Sequence, residues 1–105
     1  MNRNKYLPLT ETTFYILTAL LVPGHGYAVM QKIENLSSGK VRVAAGTMYG
    51  ALENLQSQGL IAPVPGPDKR RKLYQTTPLG REILHSEAER LRYLAGVADR
   101  LNRNT

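Results

Sequence analysis

The chain has 105 residues, no cysteine and a formal charge of +6. That length supports one domain with a core and little besides, and the missing thiols exclude disulfides, thiolate metal sites and cysteine nucleophiles together. The start MNRNKYLPLTET lacks the apolar stretch of a signal peptide, and the longest apolar run, residues 16–22, is too short to cross a membrane; a cytoplasmic location is expected.

Residues 10–21, TETTFYILTALL, begin with Thr10 as an N-cap and place Phe14, Leu17 and Leu21 along one helical face, with Ile16 and Leu20 beside it. VPG at 22–24 closes that helix. YAVMQKIENL repeats the pattern with Val29, Ile33 and Leu36 apolar, and SSG at 37–39 stops it. KVRV at 40–43 alternates polar and apolar residues, which predicts one very short strand. In AAGTMYGALENLQSQGLI, residues 44–61, Met48, Leu52 and Leu55 recur at four and three residues and make one buried helical stripe. Gly59 stands where a left-handed C-cap belongs.

Two extended segments, 61–64 and 72–76, flank a turn supplied by Pro65, Gly66, Pro67 and Asp68, and predict a hairpin with a basic tip, PDKRRK. Thr77-Pro78 is an N-cap followed by proline at the first helical position. It opens a helix to about residue 102, which at about 1.5 Å per residue is nearly 40 Å long. The predicted class is mainly α with a small β-hairpin: a winged helix-turn-helix over residues 1–77 and a long C-terminal dimerisation helix over 78–105.

Charge follows the same division. Residues 1–77 hold nine Lys/Arg against four Asp/Glu, while residues 78–105 hold five against four. The surplus in the first part suits an anionic partner, with double-stranded DNA the leading candidate. A third helix of this kind enters a major groove while the hairpin tip reaches the flanking backbone. Its face opposite Met48, Leu52 and Leu55 presents Gly46, Thr47, Gly50, Glu53, Asn54 and Ser57. Gly50 lacks a Cβ and admits a close approach, at a helix cost of roughly 1 kcal/mol relative to alanine. Thr47 and Asn54 offer hydrogen bonds to bases, and Tyr49 one to a phosphate. Lys69, Arg70 and Arg71 at the hairpin tip are phosphate ligands. Tyr27, in HGY at the start of the second helix, is another, since free N–H groups there receive an anion. His25 reads as structural.

On the last helix Leu84, Ala88, Leu91, Ala95 and Ala98 follow a 4-3-4-3 spacing, with Leu94 and Leu101 alongside. That is more apolar face than an appended helix buries against its own domain, and it predicts pairing with a second helix. A homodimer would match a two-fold DNA site. No nucleophile-and-base pair, phosphate loop or metal signature stands out, so no enzyme, metal, cofactor or membrane partner is expected. The alternative is a winged-helix protein-interaction module without DNA binding, which predicts a neutral or acidic hairpin tip.

The motifs HGYAV, GTMYGALENLQSQGLI and RRKLYQTTPLG, in this order and spacing, resemble the PadR family of bacterial winged-helix transcriptional regulators over residues 8–95. The single helix after TTPLG is similar to the family's small subfamily. The resemblance implies a homodimeric repressor that binds an inverted repeat in a promoter and often releases it to a small molecule. It carries DNA-facing positions onto Thr47, Tyr49, Gly50, Arg70, Arg71 and Tyr27. Two departures stand out. Ala45 occupies the place of a common proline, which predicts a looser start to the third helix. The chain also has no tryptophan, whereas some members of the subfamily stack planar ligands on one. Leu91 takes that position with Tyr93 nearby, and these two are the candidate contacts for a small hydrophobic or aromatic effector.

Overall fold

The computed structural model describes residues 3–104, with side chains for residues 5–103; the outer limits of the two predicted regions, at residues 1 and 105, lie outside these. A short 3-10 turn, Arg3–Tyr6, precedes α1 (Glu11–Ala19), α2 (Gly26–Leu36), α3 (Ala45–Ser57), the strands β1 (Ile61–Val64) and β2 (Leu73–Thr76), and α4 (Pro78–Asn104). Thr10 caps α1 as expected, its Oγ1 accepting from the Thr13 N–H at 3.1 Å. Thr77 caps α4, its Oγ1 accepting from the Gly80 N–H at 3.0 Å. Gly59 has φ +77° and follows the last residues of α3. The Leu60 N–H reaches back to the Leu55 carbonyl and the Gly59 N–H to that of Gln56, both at 3.0 Å, which is the pairing of a Schellman cap.

One core joins all six elements. Ile16, Leu17 and Leu20 from α1, Ile33 from α2, Met48 and Leu52 from α3, Leu60 and Ile61 from the β1 side and Ile83 from α4 are fully buried. Each such side chain contributes about 1.5–3 kcal/mol, and the stripe read on the third helix is the one that packs inward. Strand β1 pairs antiparallel with β2, Ile61 opposite Thr76 and Val64 opposite Leu73.

The strand predicted at KVRV is absent. Ser37 has taken its backbone partners: Ser37 Oγ accepts from the Val41 N–H at 2.9 Å and donates to the Val41 carbonyl at 3.3 Å. Val41 and Val43 still turn toward the core, and Arg42 faces out to Glu34 at 3.3 Å. The alternation is thus one of burial without a ladder. The third partner in the sheet is Gly24, whose N–H and carbonyl exchange bonds of 3.0 and 2.9 Å with Tyr74 of β2.

Strand β2 also closes the end of α1. Thr76 donates its N–H to the Leu20 carbonyl at 2.8 Å and its Oγ1 to that of Leu17 at 2.9 Å. Lys32 Nζ reaches the Ala19 carbonyl and Gln75 Nε2 that of Leu21. These tertiary bonds satisfy carbonyls that every helix end leaves open. At this same end of the sheet α4 starts against the α3 cap, the Thr77 N–H donating to the Leu60 carbonyl at 3.0 Å. A Cβ on Gly80 would come within 2.2 Å of the Leu60 carbonyl oxygen, so this close approach requires glycine.

Over 27 residues α4 spans about 40 Å, and only its first half is anchored. Glu87, 1% exposed, accepts from the Leu9 N–H at 2.7 Å and from Arg90, whose Nη2 lies 3.0 Å from Oε2. Beyond residue 90 the helix runs largely exposed. The radius of gyration is accordingly 15.3 Å, against about 13 Å for a compact chain of this length.

Candidate nucleic-acid interface

The start of α2 is gripped from two sides. His25 is its N-cap, the imidazole Nδ1 accepting from the Ala28 N–H at 3.4 Å. Gly26 is buried beneath the ring of Tyr49 from α3, where a Cβ would meet that ring at 2.8 Å. The bridge from Gly24 to Tyr74 ties the preceding residue pair to β2. Consequently the hairpin, or wing, overhangs the same point, with Arg71 Nη1 3.4 Å from His25 Nε2.

Between them lies an open cleft of about 540 Å³ lined by His25, Tyr27, Tyr49, Glu53, Arg70, Arg71 and Lys72 over Gly26 and Tyr74. Three cations face one carboxylate, so the cleft is an anion-attracting concavity. The local fold of the wing turns them outward. Asp68 Oδ1 accepts from the Arg70 N–H at 2.9 Å and its carbonyl from the Arg71 N–H at 3.2 Å, so the acid is folded into its own turn. Tyr27 and Tyr49 are both exposed at the rim. The Tyr27 hydroxyl accepts from Gln31 Nε2 at 3.1 Å and keeps its own proton to donate.

Four of the residues singled out in the sequence, Tyr27, Tyr49, Arg70 and Arg71, therefore meet around one cleft. Thr47 and Gly50 are exposed on α3, and around Gly50 and Gly46 an added Cβ would meet nothing within 4 Å. No contact within the described residues accounts for those glycines. Asn54 does not join the others: its Oδ1 accepts from Gln58 Nε2 at 2.9 Å, and it borders the N-terminal segment through Tyr6, Pro8 and Leu9. Lys69 does not line this cleft; it borders a second one with Gln56, Pro63 and Val64, which shares Arg71 and Lys72 with the first. Helix α3 begins with Ala44 as N-cap and no side-chain cap bond. Lys72 and His25 belong to the cleft but not to the set singled out. Alternation along a strand obscured Lys72. For His25 the signal was its place immediately before Gly-Tyr, the position of a helix cap.

On α4 the apolar stripe divides. Leu84 is 8% exposed within this chain's own core, which corrects its reading as part of the free seam. Leu91 at 40%, Leu94 at 45% and Leu101 at 63% are uncovered, and Ala95 and Ala98 are exposed between them. Leu91 borders an apolar cavity with Leu9, Phe14, Tyr15 and Glu87. Tyr93, about 200° further round the helix, is exposed away from it, so Leu91 and Tyr93 do not converge within one protomer.

Three helices, a two-stranded wing over the second and third, and a trailing helix define a winged-helix protein of the kind found in transcriptional regulators. The model of the transcriptional regulator PadR-like family matches residues 15–86, and the chain belongs to that family. A transcriptional regulator from Clostridium thermocellum superposes with a TM-score of 0.74 at 22% identity, over 92% of this chain and 90% of that one. A PadR-family regulator from Eggerthella lenta gives 0.72 at 26% identity, over 98% and 87%. A 37.1 kDa protein of transposon TN4556 in Streptomyces fradiae is 38% identical over 74 residues, 70% of this chain and 21% of that protein. The chain thus spans about a fifth of that relative. Among the described residues no helix is long and apolar enough to cross a membrane.

Proposed function

We propose that this protein is a sequence-specific DNA-binding regulator, a homodimeric repressor that leaves an inverted-repeat operator when a small molecule binds. The observation that carries the reading is the cleft joining three wing cations and two tyrosines beside an α3 face free of side-chain bulk at Gly46 and Gly50. In this reading Thr47 and Gly50 meet base edges, while Tyr27, Tyr49, Arg70 and Arg71 hold phosphates. Lys69 and Asn54 play lesser parts from the outer wing and the far end of α3. Residues 1–77 form the DNA-binding unit, and residues 78–105 the dimerisation helix.

Pairing draws support from the uncovered stripe of Leu91, Leu94, Ala95, Ala98 and Leu101, with Ala88 at its inner end. An effector of hydrophobic or aromatic character would enter the cavity beside Leu91, with Tyr93 available only from a second protomer. The test is fluorescence anisotropy with promoter DNA from just upstream of the protein's own gene, at two salt concentrations and against scrambled competitor. Specific, salt-sensitive binding is expected; binding that scrambled DNA abolishes would favour the interaction-module reading.

Arg70→Ala should weaken binding to operator and unrelated duplex alike, and lower the salt slope by about one. An unchanged slope would count against the wing's role.

A further inference from the structure

We propose that His25 is a phosphate-binding residue of this interface, its imidazole Nε2–H and the Arg71 guanidinium closing on the same phosphate oxygen. The inference rests on the DNA-binding reading and adds to it a residue whose role was until this point only structural.

The argument begins with the cap. His25 Nδ1 accepts from the Ala28 N–H at 3.4 Å, and a neutral imidazole has a single accepting nitrogen. With the cap bond in place the proton belongs on Nε2, which is then a donor. Arg71 Nη1 lies 3.4 Å from it, and a guanidinium carries donors only. In that tautomer the contact between these two side chains is one N–H facing another, with no lone pair between them. Two donors from different elements converge on one volume, and what satisfies both is an oxygen acceptor.

The geometry accommodates one. An oxygen about 2.8–2.9 Å from each nitrogen, the usual charge-assisted distance, closes a triangle on the 3.4 Å base. Glu53, the cleft's one carboxylate, forms no ion pair with Arg71 among the described residues. The ion pairs among the described residues join Arg42 to Glu34, His85 to Glu89 and Arg90 to Glu87, and none involves Arg71. Asp68, the wing's own acid, accepts from its turn. Arg70 and Lys72 border the same cleft and favour an anion, and in a DNA-binding protein the anion presented there is a backbone phosphate. The His25 contribution is that of an uncharged, directed donor, distinct from the diffuse attraction of the wing.

His25→Asn separates the two roles. Asparagine is among the strongest N-caps, so α2 keeps its cap, but the side chain is too short to offer the second donor. Losing a hydrogen bond to a charged acceptor should weaken binding about tenfold, equally for the promoter fragment and a random duplex, with the melting temperature held. The salt slope should stay at the wild-type value, because no charge is removed, whereas Arg71→Ala should lower it by about one. The double variant should bind little worse than Arg71→Ala alone, since both groups serve one oxygen. Wild-type affinity in His25→Asn, or full additivity in the double variant, would overturn the proposal while leaving the DNA-binding reading intact. Failure of the wild-type protein to bind either duplex would remove both. A measurement on the unaltered protein guards against a folding defect: nitrogen-15 spectra of the His25 ring should report a bare Nδ1 and a protonated Nε2 that shifts when the duplex is added. The opposite tautomer, or no shift, would refute the assignment.

Discussion

Around Gly50 an added side chain meets open space, so the free protein has no steric reason to keep glycine there. Leucine at this position should leave the fold intact and raise helix stability by up to about 1 kcal/mol. Gly50→Leu should therefore melt at or above the wild-type temperature and yet lose operator binding in the anisotropy assay. Retained affinity would mean that α3 does not approach the groove at that point. Glu87 poses a different residue-scale question, because it is a buried carboxylate. The Arg90 hydrogen bond, chiefly, holds its pKa below the ordinary carboxylate value; burial opposes this, and the Leu9 N–H assists. A carboxylate held low in the folded state adds stability above its unfolded pKa and loses it as pH falls through the folded value. Chemical denaturation across the acid range should show that loss in the wild-type protein, and Glu87→Gln should flatten this part of the profile.

At the scale of elements, local chemistry was legible where one residue suffices to start or stop a helix. Thr10, Thr77-Pro78 and Gly59 do so by their own hydroxyl, ring or positive φ, and the structure places them in those roles. The KVRV segment was misread because alternation reports only which side chains face inward, while a strand also requires a backbone partner. Ser37 supplied that partner from three residues before the segment, a competition between side chain and ladder that hydropathy does not register. The end of α1 was likewise beyond local reading, since its carbonyls are closed by Thr76, far along the chain. The Leu17 carbonyl receives the Thr76 hydroxyl, while the Leu21 N–H turns to Thr18 instead. Thr76→Val preserves shape and deletes that donor, leaving a buried acceptor unpaired. It should cost about 1–3 kcal/mol, measurable as a lower denaturation midpoint with unchanged slope.

At the scale of the whole molecule, the sequence marked an apolar stripe on α4 but not where its own domain stops covering it. Leu84 and Leu91 carry the same side chain on the same stripe, yet one is core and the other is uncovered. Both border α1, Leu84 beside Phe14, Thr18 and Leu21 and Leu91 at the cavity with Phe14 and Tyr15. If the outer stripe is the seam, Leu91→Glu should give monomers by sedimentation with the winged domain still folded; a dimer that survives unchanged would remove the seam. The division of α4 into a gripped half and a free half has a mechanical consequence. The free stretch, residues 91–104, is about 20 Å long, and it meets the domain through a rigid, continuous helix. A tilt of about ten degrees imposed at its outer end carries the inner end through about 3.5 Å, close to one base-pair step along a duplex. If two such helices pair as proposed, whatever resets the angle at which they cross would shift the spacing between the two winged domains by a whole step, with the domains themselves unaltered.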